Sequence, residues 1–163
     1  MGDRMAWMNW SCWLLISWLA CLLSLVGCSR PSSPEAEIRT WLAQAQAAAE
    51  QRDVSALRNL IAEDYVDKAG NDRKAIENLL RLQILRQQSI HLFTRVRTIE
   101  FPGLNRATVS VAAAMAGRPV ARADDLVGLS ADLYRFDLSL ERRGGEWRVQ
   151  GAVWEPARID DFL

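Results

Sequence analysis

Beyond residue 28 the chain contains no cysteine; its three are Cys12, Cys21 and Cys28. That absence excludes a disulfide framework, a thiolate nucleophile and a cysteine metal site from everything downstream. Histidine is nearly as scarce, because His91 is the only one. No histidine pair exists to hold a metal ion, and a hydrolytic triad would have a single base with nothing to support it. Net charge is missing too: 20 basic residues balance 20 acidic ones. Asp3 and Arg4 are the only charged residues before Cys28, so the remainder is neutral as well. Binding to nucleic acid rests on neutralising many phosphates, so it is not expected. The chain has no glycine-rich phosphate loop, no internal repeat and no low-complexity tract, and no cofactor is expected.

What is present begins with a charge-free apolar run from Ser11 to Val26, preceded by Arg4 and carrying Trp7, Trp10, Trp13 and Trp18 nearby. A short basic start followed by such a run has the anatomy of an export signal. The run closes on Leu25-Val26-Gly27-Cys28 and gives way to Ser29-Arg30-Pro31. An uncleaved span is the alternative, since Met5 to Cys28 exceeds the roughly 20 residues that crossing a bilayer needs. The four residues 25–28 resemble the lipobox of bacterial lipoproteins. That resemblance implies a signal peptide over residues 1–27, cleavage before Cys28, and a diacylglyceryl group on the Cys28 thiol. Acylation of the new amine, typically with palmitate, would follow. Each buried methylene contributes about 0.8 kcal/mol, and two or more chains anchor stably where one does not. Ser29 in place of aspartate points, on the same resemblance, to the periplasmic face of the outer membrane. Residues 28–34 then form a short tether.

From residue 35 to residue 163 the pattern is that of one domain with its own core. Ser33 and Pro34 suit the N-cap and first position of a helix, with Glu35 and Glu37 near the positive end of its dipole. Ile38, Trp41, Leu42, Ala45, Ala48 and Ala49 make its apolar stripe. Asp53 restarts a helix with Val54, Leu57, Leu60 and Ile61 inward. Glu63–Asp67 reads as a short extended piece and Ala69–Asp72 as a turn. Asp72 can cap a third helix, with Ile76, Leu79, Leu80 and Gln83 or Ile84 buried.

After Gln88 the period becomes that of strands: Ser89–Phe101, Ala107–Met115, Ser130–Arg142 and Glu146–Trp154, with a polar connection over Gly117–Gly128. Gly144-Gly145 fits a two-residue hairpin turn. The register it sets pairs Glu141 with Arg148, Arg143 with Glu146, Leu140 with Val149 and Phe136 with Val153. On it, Trp147 shares the face of Tyr134, Phe136 and Leu138, and Trp154 lies on the other.

Helices followed by a run of antiparallel strands make an α+β domain. Ser55–Gly70 (SALRNLIAEDYVDKAG), the long third helix and the terminal hairpin Leu133–Trp154 (LYRFDLSLERRGGEWRVQGAVW) resemble the nuclear transport factor 2-like superfamily. The resemblance covers residues 35–156. It implies a cone in which three N-terminal helices pack on a curved antiparallel sheet. Members of that superfamily include ketosteroid isomerases, dehydratases and cyclases as well as proteins that only bind.

Two functions of different class follow. In the first the domain binds a small apolar molecule or an envelope partner without catalysis, through residues such as Asp64, Tyr65, His91, Tyr134 and Trp147. In the second it is an isomerase, dehydratase or cyclase, with Asp64 or His91 moving a proton between apolar walls that raise a carboxyl pKa. Asp132 is a further acid to consider. Each residue also has a plainer role: Asp64 as a turn carboxylate, His91 as an edge residue, and Tyr134 and Trp147 as packing. Arg95 and Arg97, alternating with Phe93 and Ile99, suit an anionic-ligand wall, a partner-facing surface or a solvated face. Homodimerisation through the sheet is a further expectation.

Overall fold

Asp53 and Asp72 each accept a hydrogen bond from the backbone N–H three residues on, at Ala56 (2.9 Å) and Ala75 (2.8 Å). These caps start two of the helices in the computed structural model, which describes residues 33–163. The sequence expectations for residues 1–32, including the signal peptide and Cys28, lie outside the described residues. Pro34–Leu163 forms one compact unit. Its elements are α1 (Pro34–Glu50), α2 (Val54–Asn59), α3 (Arg73–Arg86), β1 (His91–Gly103), β2 (Arg106–Ala116), β3 (Ala131–Arg143) and β4 (Glu146–Pro156). The strands form a single antiparallel sheet in the order β1-β2-β3-β4, so every connection is a hairpin between neighbours. The domain is α+β, a curved four-stranded antiparallel sheet with a few helices. No helix among the described residues is long and apolar enough to cross a membrane.

The helices cover one face of the sheet in two packed groups. Ile38, Trp41, Ile61 and Tyr65 pack with Ala107, Val109, Leu140, Trp147 and Val149. Ala48, Leu57, Ile84 and Ile90 form the second, with Leu92 and Met115 against it. On α3 the buried stripe is Ile76, Leu80 and Ile84; Leu79, expected inward, is exposed because it sits on the helix flank. The opposite face of the sheet is also covered. There Ala112 and Ala114 lie beneath Leu126, from the β2–β3 connection, and Phe162, from the C-terminal turn. The connection read as polar thus contributes a buried leucine.

Two β-bulges reset which side chains share a face. The turn at Gly144 (φ +61°) and Gly145 (φ +87°) sets Leu140 opposite Val149, Glu141 opposite Arg148 and Arg143 opposite Glu146. One extra residue, Gln150, then shifts the pairing, so that Phe136 faces Trp154 and Val153 faces Asp137. Phe136 does not pair with Val153, and Trp154 stands on the same face as Tyr134. A bulge has this effect because side chains alternate with period two. Arg97 is the extra residue of β1, between Val96 (opposite Val111) and Thr98 (opposite Ser110). It returns Ile99, opposite Val109, to the helix side, away from the face of Phe93 and Arg95.

Candidate functional site

The five candidate residues fall into separate surroundings. Asp64 is exposed, and its carboxylate pairs with Arg143 at 3.0 Å. Arg143 also holds Glu141 at 2.6 Å. The hydrogen bond from Arg143 keeps the Asp64 carboxyl below the usual carboxylate range. A general base working near neutrality needs the opposite, a carboxyl raised by desolvation. The ionic contacts at this hairpin therefore run along strands and to the α2–α3 connection. Arg148 binds Glu146 at 2.9 Å rather than the Glu141 that faces it.

Tyr65 and Trp147 are brought together, but in the packed interior. Burial, with the nearby Asp67 charge, pushes the Tyr65 phenol up to about 12, against a hydrogen bond from the Ala152 backbone. Trp147 is 5% exposed, and its indole N–H donates to Glu37 at 2.9 Å. The other oxygen of Glu37 accepts from Arg142 at 3.2 Å. Both residues join the first turn of α1 to the terminal hairpin. Trp41, in the same cluster, has a buried indole N–H with no acceptor among the described residues. Such a donor costs roughly 1–3 kcal/mol, which an acceptor reaching it would recover.

His91 opens β1 opposite Ala116, on the face away from the helices. It shares that face with Phe93 and Arg95. Arg95 donates to the Leu163 carbonyl at 3.2 Å, and Arg97 to the Asp161 carbonyl at 2.9 Å. Arg97 also pairs with the Asp161 carboxylate at 3.3 Å. These two cations hold the chain's own C-terminal turn over the sheet.

Tyr134 leads to a group of aromatic side chains on the helix side of the sheet that lies outside the two packed groups. It lies beside Phe136, with ring centres 6.1 Å apart. Phe136 faces Trp154 across the β3–β4 pair. All three are on the helix side of the sheet yet belong to none of its packed groups, and Trp154 is 38% exposed. Asp132, opposite Met115, stands on the same face as Tyr134. An open depression of about 360 Å³ lies at Tyr134, lined by Asp132, Tyr134 and Pro156 with Ala131, Leu133 and Ala157; neither Phe136 nor Trp154 lines it. Phe136 and Trp154 were missed as a pair because the Gln150 bulge aligns them. Gly151, a glycine inside a strand, is the signal that marks such a bulge. A second depression, about 430 Å³, is lined by Arg58, Glu63, Asp72, Arg73, Lys74 and Glu77. There Arg73 pairs with Glu63 and Arg58 with Glu77, so its charges are largely spent on one another. Among the described residues no group of acids or histidines is placed to hold a metal.

No family model and no curated protein sequence matches the chain. Solved structures do. A candidate dehydratase of the nuclear transport factor 2-like family from Streptomyces avermitilis aligns with TM-score 0.61 and 16% identity, over 78% of this chain and 99% of that one. A ketosteroid isomerase-like protein from Erwinia carotovora atroseptica aligns at 0.56 and 11%, over 76% of this chain and 95% of that one. A nuclear transport factor 2-like protein of unknown function in nutrient uptake, from Rhodospirillum rubrum, aligns at 0.56 and 18%, over 74% of this chain and 98% of that one. The fold is therefore the nuclear transport factor 2-like fold.

Proposed function

We propose that this chain is a lipid-anchored protein of the bacterial cell envelope whose folded domain binds a small apolar molecule, without catalysis. Residues 1–27 are its signal peptide, Cys28 its lipidation site, and residues 28–34 a tether placing the domain on the periplasmic face of the outer membrane. In this reading the three helices and the curved sheet form a cone. The aromatic wall of Tyr134, Phe136 and Trp154 is its binding surface. That wall is the observation that carries the reading: three large rings on one face, partly open to solvent, with a depression at Tyr134 that has the Asp132 carboxylate at its rim. Binding sites of this kind are mostly apolar with few polar groups. The proton-transfer alternative has less behind it. Asp64 is exposed and held ionised by Arg143, and His91 is on the other face of the sheet.

Native mass spectrometry of the full chain, extracted in detergent from a bacterial envelope, tests both halves. The expected wild-type spectrum shows a protein beginning at Cys28 with acyl chains attached, carrying a small molecule lost in Trp154→Ala. A wild-type domain that arrives empty overturns the binding reading. An unmodified Cys28 overturns the anchor.

A further inference from the structure

The first turn of α1 and the tips of both long hairpins meet at one end of the domain. Glu37, one turn into α1, is bonded to Trp147 and Arg142 near the β3–β4 turn. Trp147 packs its ring against Phe101 with centres 6.3 Å apart, and the Arg142 N–H donates to the Asn105 carbonyl at 2.9 Å. Phe101 and Asn105 flank the turn from β1 to β2. That turn, Phe101-Pro102-Gly103-Leu104-Asn105, holds no charged residue, and Leu104 at its apex is 95% exposed. Phe101 is 40% exposed behind it. Arg106, immediately after the turn and opposite Glu141 on β3, is exposed and makes no ion pair among the described residues. An apolar apex backed by an aromatic ring and an uncommitted arginine suits the boundary between lipid headgroups and acyl chains.

The chain length preceding α1 says what meets this end. Only residues 29–33 separate Cys28 from Pro34, the first residue of α1, a distance of six residue steps. At about 3.5 Å per residue they reach on the order of 20 Å when fully extended. A lipid on Cys28 therefore holds the Glu37 end of the domain close to the bilayer surface. β2, with 11 residues, carries the opposite end on the order of 35 Å away. We infer that the uncharged tip Phe101–Asn105, with Leu104 at its apex, is a membrane-contact element seating this end of the domain on the bilayer that holds Cys28. The inference rests on the lipid-anchored reading. One leucine would not hold a free domain on a membrane. Tethering changes this by making contact an intramolecular event at high effective concentration. The aromatic wall, near the other end of β3, then faces away from the lipid.

Site-directed fluorescence on the full chain tests it. Cys12→Ser and Cys21→Ser are introduced, then Leu104→Cys or, as the distant control, Val127→Cys. Val127 is exposed in the β2–β3 connection. The chain is purified with its lipid, reconstituted in phosphatidylethanolamine–phosphatidylglycerol vesicles and labelled with a thiol-reactive fluorophore. Quenching by brominated acyl chains is expected to be severalfold stronger at 104 than at 127, with the reverse order for aqueous iodide. Equal, water-like quenching at both positions on vesicle-bound protein overturns the contact and leaves the anchor standing. Fluorophore uptake by the parent without the new cysteine reports a free Cys28 thiol and overturns both.

Discussion

The two faces of the sheet are both covered, but by different means. On the helix side, large residues from α1, α3 and the α2–α3 connection interlock with Val109, Leu140, Trp147 and Val149. On the other, Ala112 and Ala114 lie beneath Leu126 and Phe162, at short 3-10 turns, with Val120, Ala123, Leu129 and Ala157 packed around them. β2 records the difference. Its first half alternates buried and exposed residues, whereas Val111, Ala112, Ala114 and Ala116 are all buried. A strand covered on both faces loses its alternation.

The largest expected effect contrasts the two. Trp147→Ala removes a buried indole and its bond to Glu37, and should cost about 4 kcal/mol of unfolding free energy by urea titration. Phe162→Ala should cost nearer 3 kcal/mol, because the ring packs on small alanines and makes no hydrogen bond to lose. Phe162→Ala alone should also bring out self-association through the bared alanines, read by sedimentation velocity. A strictly monomeric Phe162→Ala variant would mean that this face is no dimer surface.

A smaller effect separates the two tyrosines. The Tyr65 phenol ionises near 12 in the folded chain and near 10 when unfolded. The stability gained by keeping it neutral is whole below about pH 10, and it is lost as pH rises towards about 12. Tyrosinate absorbance should show a late step that coincides with unfolding and is missing in Tyr65→Phe. The smallest expected effect concerns Gly151, where a methyl group would meet the Val66 carbonyl oxygen at 3.2 Å. Gly151→Ala should cost about 1 kcal/mol, since that carbonyl is backbone and yields little.

The helix starts were legible because Asp53 and Asp72 act through local hydrogen bonds, as was the hairpin register next to Gly144-Gly145. Those signals depend on neighbours in the chain. The pairing of Phe136 with Trp154 was not legible, because a bulge is an extra residue relative to a partner strand, and alternation within one strand does not reveal it. Ile99 was placed on the wrong face for the same reason at Arg97. The outer cover escaped because Leu126 and Phe162 lie in short turns without periodicity. What buries them is contact with β2, distant in sequence. Of the candidate site, Tyr134 was identified, while the rings around it depended on that undetected shift.

One further property follows from how the sheet ends. On β4, the Val149 N–H and carbonyl bond to Leu60 and Ala62, and Gln150 accepts from Val66. On β1, the Leu92 N–H and carbonyl are taken by the Glu50 and Gln46 side chains of α1. Backbone groups that another strand would need are thus engaged at Val149 and Gln150 on β4 and at Leu92 near the start of β1. Unprotected margins are where sheets recruit further strands and grow without limit. Here a further strand could not pair with β4 at Val149 and Gln150, nor with the start of β1 at Leu92, without displacing those bonds.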